Sequence, residues 1–84
     1  MSEAPTKPVS VFRRRGVKVS VFENHERQNT WYKVSVQKIY RDVQEQWKTT
    51  TSLGRDDLPI AQLLLGKAWE FILDQEAANA KAGE

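Results

Sequence analysis

Residues 9 to 22 read VSVFRRRGVKVSVF, and this stretch decides the fold because VSVF occurs twice around a basic centre that ends in Gly16. Apolar residues alternate with small polar or charged ones, which is the period of a half-buried β-strand. Two geometries remain open: a hairpin that turns at Arg14 to Gly16, or one long strand with a bulge at Gly16. In both geometries we expect one face to carry Val9, Val11, Val17, Val19 and Val21, and the opposite face to carry Phe12, Lys18, Ser20 and Phe22.

Two further stretches alternate in the same way: WYKVSVQKIYR, residues 31 to 41, and WKTTTSL, residues 47 to 53. The polar run NHERQNT, residues 24 to 30, is typical of a connecting loop, and DVQEQ, residues 42 to 46, is typical of a turn. Strands joined by short polar connections usually pair as an antiparallel meander, here of three to four strands.

The segment SLGRDDLP, residues 52 to 59, changes the period. Asp56 or Asp57 can cap a helix start, and Pro59 is tolerated in the first turn. The apolar residues that follow predict one amphipathic C-terminal helix packed on the valine face of the sheet. Its expected core stripe is Ala61, Leu64, Leu65, Ala68 and Ile72, with Trp69 and Leu73 beside it. The predicted fold class is therefore α+β.

Three more apolar residues, Ile60, Leu63 and Phe71, widen this helical stripe. Either the contact with the sheet is wide, or these residues form a dimer interface with a second copy of the chain. We expect one domain over residues 9–76, a disordered N-terminal tail over residues 1–8 and a frayed C-terminal tail over residues 77–84.

Composition limits the classes of protein and of site. At 84 residues the chain forms a small core. The absence of cysteine excludes disulfides and thiolate metal sites. No apolar run has the length of a signal peptide or a membrane span, so we expect a cytoplasmic protein with no membrane partner.

The charge is unevenly distributed along the chain. Residues 1–55 contain eleven Lys/Arg and five Asp/Glu, a balance of +6, whereas residues 56–84 contain two and six, a balance of −4. Because the basic half is the strand-forming half, we expect a positive sheet surface and a negative helical one.

No residue pattern indicates catalysis. His25 is the only histidine and lies in a polar run. Gly66 and Lys67 lack the other residues of a phosphate-binding loop, and Asp56 and Asp57 are typical of a helix start. We therefore expect no enzyme activity, no cofactor, no metal and no small-molecule substrate.

The sheet face opposite the helix is the candidate functional surface. Aromatic side chains among cations suit single-stranded nucleic acid, because bases stack on aromatic rings and phosphates bind cations. The candidate nucleic-acid-binding residues are Arg14, Lys18, Phe22, Trp31, Lys33, Arg41, Lys48 and Thr50.

The order of elements resembles the positive-cofactor-four family of transcriptional coactivators and its small bacterial relatives. The resemblance covers roughly residues 9–75 and is carried by KVSVFEN at 18–24, WYKVSVQKIYRD at 31–42 and WKTTTSLGRDDLPIAQLL at 47–64. It implies a homodimer, formed partly through the helices, whose curved sheets make a channel for single-stranded nucleic acid. Lys33, Lys48 and Trp31 fall where such proteins place cationic and stacking residues, and the segment from Leu53 to Leu58 resembles their strand-to-helix junction.

The leading hypothesis is thus a non-enzymatic homodimer that binds single-stranded nucleic acid, DNA rather than RNA. The alternative is a protein-interaction or scaffold module that uses the same exposed aromatics, because Trp and Arg are enriched at interface hot spots.

Overall fold

The computed structural model describes residues 7–82, which form a four-stranded antiparallel sheet followed by one long helix. The strands are β1 (Ser10–Arg14), β2 (Val17–Glu26), β3 (Asn29–Arg41) and β4 (Trp47–Thr50), in the spatial order β1-β2-β3-β4. A 3₁₀ turn, Arg55–Asp57, leads into helix α1, Leu58–Ala82. The predicted α+β meander with one C-terminal helix is confirmed, with four strands. Residues 1–6 and 83–84, which belong to the two predicted tails, lie outside the described residues.

The basic centre of the repeat forms a hairpin rather than a bulge. Arg14 pairs with Val17, and the two turn residues, Arg15 and Gly16, have φ angles of 54° and 83°. Positive φ at both central residues defines a type I′ turn, whose twist matches that of the strands. A Cβ at Gly16 would lie 3.1 Å from the Ile39 carbonyl oxygen, so a side chain there would be crowded as well as strained by the positive φ.

The length of this turn reverses the faces that we expected for β1. A two-residue turn pairs even-numbered residues of β1 with odd-numbered residues of β2, so Phe12 lies opposite Val19 and Val11 opposite Ser20. Directly opposed residues share a face. The prediction that Phe12 lies on the face opposite the helix is therefore wrong: it packs against the core, and Val11 lies on the other face.

The polar run over residues 24–30 is not a loop. Most of it is paired strand, with Asn24 opposite Trp31 and Glu26 opposite Asn29, and only Arg27 and Gln28 form the turn. The polar side chains led to the prediction of a loop. They are compatible with a strand here because both faces of this part of the hairpin are partly solvated. Since β1 pairs with β2 only up to Val21, the hairpin from residue 23 to 32 extends beyond β1, and we call it the arm.

The β3–β4 connection is a turn, as predicted from DVQEQ. The Asp42 carboxylate accepts hydrogen bonds of 2.9 Å from the amides of Gln44 and Gln46, which orders the turn locally. Pairing then places Trp47 opposite Arg41 and Lys48 opposite Tyr40.

The core lies between α1 and the first two strands. Val17, Val19 and Val21 are fully buried against Ala61, Leu64 and Ala68. Ile60, Phe71 and Ile72 pack around this cluster. For Ile60 and Phe71 the structure therefore shows the first of the two alternatives, a wide contact with the core, while Leu63 is exposed.

Four of the five residues of the predicted core stripe, Ala61, Leu64, Ala68 and Ile72, lie in or against the core, as expected. Leu65, Trp69 and Leu73 were expected near the sheet, but all three are exposed. Apolar residues occupy so much of the circumference of α1 that their spacing identifies the centre of the buried side but not how far it extends. The helix also continues through residues 77–82, where we expected a frayed tail.

One ion pair fixes the start of the helix on the sheet. Asp57 accepts a hydrogen bond of 2.9 Å from the Gly54 amide and pairs with Lys38 of β3. The hydrogen bond from Lys38, and then that from Gly54, hold the pKa of Asp57 below its usual value. The helix of residues 58–82 is not apolar enough to cross a membrane, nor is any other helix in the described part of the chain.

Candidate nucleic-acid interface

The sheet face that α1 leaves uncovered, which we call the open face, collects side chains from all four strands. The pairing registers define this face. Residues paired with the buried valines of β2 point to the helix, and the residues next to them in sequence point to the open face. Its members are Val11, Arg13, Lys18, Ser20, Phe22, Asn24, Glu26, Asn29, Trp31, Lys33, Ser35, Gln37, Ile39, Arg41, Trp47 and Thr49, of which Glu26, at the tip of the arm, is the one carboxylate.

The cations of the open face are not neutralised by ion pairs. Among residues 7–82, no carboxylate pairs with its four cations, Arg13, Lys18, Lys33 and Arg41. On the helix side, Lys38 pairs with Asp57 and Lys48 lies 3.7 Å from Asp42, whereas Arg14 has no ion pair within residues 7–82. Of the five strand cations without an ion pair in this part of the chain, four therefore lie on the open face.

Aromatic side chains lie among these cations. Phe22 lies opposite Lys33, and Trp31 lies beside them on the arm, opposite Asn24. Trp31 is 39% exposed and Trp47 is 67% exposed, so each offers part of its ring to solvent. An exposed indole ring beside a cation suits a ligand that has both a planar group, which can stack on the ring, and a negative charge, which can pair with the cation.

The two tryptophans lie near opposite ends of the face. Trp47 is opposite Arg41, whose guanidinium carbon is 5.1 Å from the centroid of the Trp47 ring. Trp31 and Arg41 are ten residues apart on β3, which corresponds to about 33 Å at the rise of a β-strand. The surface between them is long enough for a short single strand of nucleic acid, on the order of five to ten nucleotides.

The middle of the open face is low and polar. Ser20 and Ser35 lie opposite each other, and Lys18 lies opposite Gln37. Ser20 is only 4% exposed, since its small side chain lies below its larger neighbours. The part of the open face between the two tryptophans therefore carries hydroxyl and amide groups.

The arm that carries Trp31 is anchored from the helix side. The Tyr32 hydroxyl donates to Glu23 Oε2 at 3.0 Å, and Asn79 of α1 donates to the Tyr32 oxygen at 3.2 Å. Burial, and then the hydrogen bond to Glu23, raise the pKa of Tyr32 above its ordinary value. The far end of the long helix therefore contacts the arm through this hydrogen bond.

The structure brings together five of the eight predicted binding residues on the open face: Lys18, Phe22, Trp31, Lys33 and Arg41. The expectation that Lys48 and Thr50 share this face is wrong. They lie opposite Tyr40 and Lys38, on the helix side, because the register set by the β3–β4 turn pairs even residues with even ones.

Arg14 is also on the helix side. It lies opposite the buried Val17 and lines a cleft between β1 and α1 that contains the carboxylates of Glu70 and Asp74. The acidic neighbours lower the positive potential around Arg14, and Arg13, at the rim of the open face, also lines this cleft.

Two open-face residues suited to bind nucleic acid, the cation Arg13 and the aromatic Trp47, were missed. Both follow from the turn lengths: a two-residue turn between β1 and β2 moves Arg13 to the open face, and pairing of Asp42 with Gln46 moves Trp47 there. If a type I′ turn at Arg15-Gly16 had been assumed from the sequence, Arg13 would have been placed on the open face.

Residues 7–82 contain no group of three or more His, Asp or Glu side chains placed to bind a metal ion. Comparisons of the chain with protein-family models, with curated proteins and with solved structures give no match.

Proposed function

We propose that this protein is a non-enzymatic binding module for single-stranded nucleic acid, DNA in preference to RNA, that acts as a homodimer in the cytoplasm. The observation that carries the proposal is that four of the five strand cations without an ion pair within residues 7–82 lie on the open face. Lys38 and Lys48 on the helix side are ion-paired, whereas the cations of the open face are left to a ligand and lie among exposed aromatic rings.

Phosphate binding accounts for the cations. Each phosphate that a cation neutralises releases counterions, and four such contacts give a slope of about −3 for log K against log salt concentration on a single strand. Arg13, Lys18, Lys33 and Arg41 are spread across three strands, so a bound backbone would cross the sheet.

Base stacking accounts for the aromatics and for the preference for single strands. A base stacked on Phe22, Trp31 or Trp47 contributes about 1 to 3 kcal/mol, whatever its identity. In a duplex the faces of the bases are covered by their neighbours, so these rings have nothing to stack on. We therefore expect little sequence preference and weaker binding to duplexes.

The test is a titration of a fluorescent single-stranded DNA, the corresponding duplex and an RNA strand of the same sequence at several salt concentrations. We expect the single-stranded DNA to bind most tightly, with a steep loss of affinity as salt rises. Tryptophan emission should change in parallel, because Trp31 and Trp47 are part of the surface. The proposal is wrong if no strand binds with a Kd below about 10⁻⁴ M at low salt, where even non-specific binding is measurable.

A second function is favoured by one observation, the stacked pair of Arg41 and the well-exposed Trp47. Trp and Arg are the residue types most enriched at protein–protein hot spots, so the same end of the face could hold a polypeptide. A peptide held by aromatic contacts would be much less sensitive to salt than a polyanion.

A further inference from the structure

The cleft between β1 and α1 has a volume of about 480 Å³ and lies at the edge of the sheet, on the helix side. This volume is within the range of about 300 to 1,000 Å³ that is typical of ligand sites. The apolar part of its lining is Val11, Phe12, Leu64 and Phe71. Phe12 and Phe71 are only partly buried, so a side chain of a partner can pack against them.

Five charged side chains surround this apolar lining: Arg13, Arg14, Lys67, Glu70 and Asp74. Both signs are present, yet none of the five is in an ion pair with any residue of the described range 7–82. Glu70 and Asp74 are also four residues apart on α1, a spacing at which like charges destabilise a helix. The cleft therefore suits a ligand that carries both signs of charge.

The direction of α1 relative to β1 follows from contacts at its two ends. Near the start of α1, Asp57 pairs with Lys38, which lies opposite Val17 next to the β1–β2 turn. Near its end, Asn79 contacts Tyr32 on the arm. The helix therefore begins beside the β1–β2 turn and extends along β1 in the direction opposite to that strand.

This direction sorts the charges along the cleft. Arg14 and Lys67 lie towards the β1–β2 turn, whereas Asp74, two helical turns after Lys67, lies towards Ser10 at the other end of β1. The cleft is thus positive near the turn and negative near Ser10. A polyanion would meet the carboxylates of Glu70 and Asp74 here, so this cleft does not suit the ligand proposed for the open face.

The backbone beside the cleft is an unpaired edge of the sheet. β1 is the first strand in the spatial order, so no strand within residues 7–82 pairs with its outer edge. Arg14 and Val17 flank the two-residue turn, and residues in this position exchange both backbone hydrogen bonds. Because hydrogen-bonding directions alternate along a strand, the amides and carbonyls of Val11 and Arg13 point outward, where an added strand can pair with them.

We propose that this edge and cleft bind an extended peptide, which adds a strand antiparallel to β1. The peptide residue opposite Phe12 shares its face and places an apolar side chain in the cleft, against Phe12 and Phe71. The peptide residues two positions away lie opposite Arg14 and Ser10. The charges of the cleft select an acidic residue opposite Arg14 and a basic residue opposite Ser10, near Asp74. From its N-terminus, the peptide motif is therefore acidic, any residue, apolar, any residue, basic.

The unpaired edge favours a peptide over a free amino acid or another small zwitterion. Val11 and Arg13 are two residues apart, about 7 Å along the strand, and only a polypeptide backbone repeats its hydrogen-bonding groups at that spacing. The peptide site does not depend on the proposed function. With nucleic acid on the open face, a protein that carries this motif would be held beside it, and this consequence alone rests on the proposed function.

The experiment is an NMR titration of the full ¹⁵N-labelled chain, without nucleic acid, with the capped peptide Ser-Glu-Thr-Phe-Thr-Lys-Ser. We expect a Kd of about 0.5 mM or lower, as for a short segment with one apolar anchor. The amides of Val11 and Arg13 should show the largest shifts and should gain protection from exchange with solvent.

Two control peptides test the anchor and the charges on the wild-type protein. Alanine in place of the phenylalanine removes the apolar contact, and glutamate in place of the lysine opposes two carboxylates at the negative end of the cleft. We expect each change to weaken binding at least about tenfold. The net charge of the chain is +2, so non-specific attraction would favour the peptide with two glutamates and would give the opposite result.

Asp74→Lys exchanges the sign of charge at one end of the cleft and should reverse the preference, so that the peptide with two glutamates binds more tightly than the original. Glu76→Lys makes the same change two residues later, at an exposed position that does not line the cleft, and should keep the wild-type preference. If Asp74→Lys does not fold, the control peptides on the wild type still test the inference.

The inference is overturned if about 1 mM peptide causes no shift, a concentration at which even weak binding is visible. Equal affinity for the original and the two-glutamate peptides overturns it too, as do shifts confined to Trp31 and Trp47 on the open face. The same shifts produced by free phenylalanine would indicate a small-molecule site instead. Shifts of Val11 and Arg13 that follow protein concentration without peptide would show that a second copy occupies the edge, which also rejects the peptide site.

Discussion

Lys38 on β3 and Asp57 at the start of α1 form an ion pair that ties the sheet to its helix. Asp57 also accepts the Gly54 amide, so one carboxylate orders the turn before the helix and anchors it to the strand. This pair removes Lys38 from the cations available to a ligand. It also gives the fold a dependence on pH.

Asp57 should make the protein less stable in acid. Its pKa is lowered in the folded state, chiefly by the hydrogen bond from Lys38. A lowered folded pKa contributes stability that is present above the ordinary carboxyl pKa of about 4 and is lost as pH falls through the lower folded value. Thermal unfolding of the wild type and of Asp57→Asn from pH 7 to pH 2 tests this. The two Tm curves should converge at low pH, and a constant difference between them would contradict the assignment.

Trp31→Ala should weaken binding of single-stranded DNA by about 5- to 100-fold, which corresponds to the loss of one stacked base. Trp31→Phe keeps an aromatic face and should retain most of the affinity. Both variants should keep the wild-type far-ultraviolet circular dichroism, because Trp31 is on the exposed arm. If Trp31→Ala unfolds the protein, the side chain is structural rather than ligand-binding.

Lys33→Gln and Lys48→Gln form a matched pair that tests which side of the sheet binds. Each removes one positive charge, but Lys33 is on the open face and Lys48 is on the helix side near Asp42. Lys33→Gln should reduce the slope of log K against log salt by about 0.7, the value for one contact to a single strand. Lys48→Gln should leave the slope unchanged, and equal effects of the two changes would rule out an interface confined to the open face.

Val19→Asp should unfold the domain. Val19 is fully buried in the centre of β2, so a carboxylate there has no partner and costs about 4 kcal/mol or more. The same change at the exposed Val43 should shift stability by less than about 0.5 kcal/mol. Urea unfolding followed by circular dichroism distinguishes the two, and a folded Val19→Asp protein would mean that the valine side of β2 is not the core.

Arg15→Asn should stabilise the protein by about 0.5 to 1 kcal/mol. Arg15 has a φ of 54° in the β1–β2 turn, a left-handed conformation that asparagine adopts more easily, and Asn-Gly is the preferred pair for this turn. Arg13→Asn removes the same charge within a strand and should bring no such gain. Thermal unfolding of the two variants gives the comparison, and no gain for Arg15→Asn would mean that the turn is not strained.

The alternation of apolar and polar side chains predicted the strands and which side of each strand is buried. Val17, Val19 and Val21 were expected to be core residues, and they are buried, because a strand with one apolar face has only one side that can leave water. Five open-face ligand candidates were likewise found from alternation within β2 and β3. Alternation within a strand does not relate the faces of two different strands, which is why Phe12, Lys48 and Thr50 were assigned to the wrong side.

The sequence by itself determined the elements, their order and the excess of positive charge in the strand-forming half, because periodicity and composition are local properties of a chain. Only the tertiary structure decided which cations are in ion pairs and which face of the sheet the residues of β1 and β4 join. These depend on turn lengths, which set the register and hence the face of every residue that follows, and on ion pairs between distant residues such as Lys38 and Asp57. A difference of one residue in a turn reverses the faces of a strand, and here it separates the cations of the open face from those held by carboxylates on the helix side.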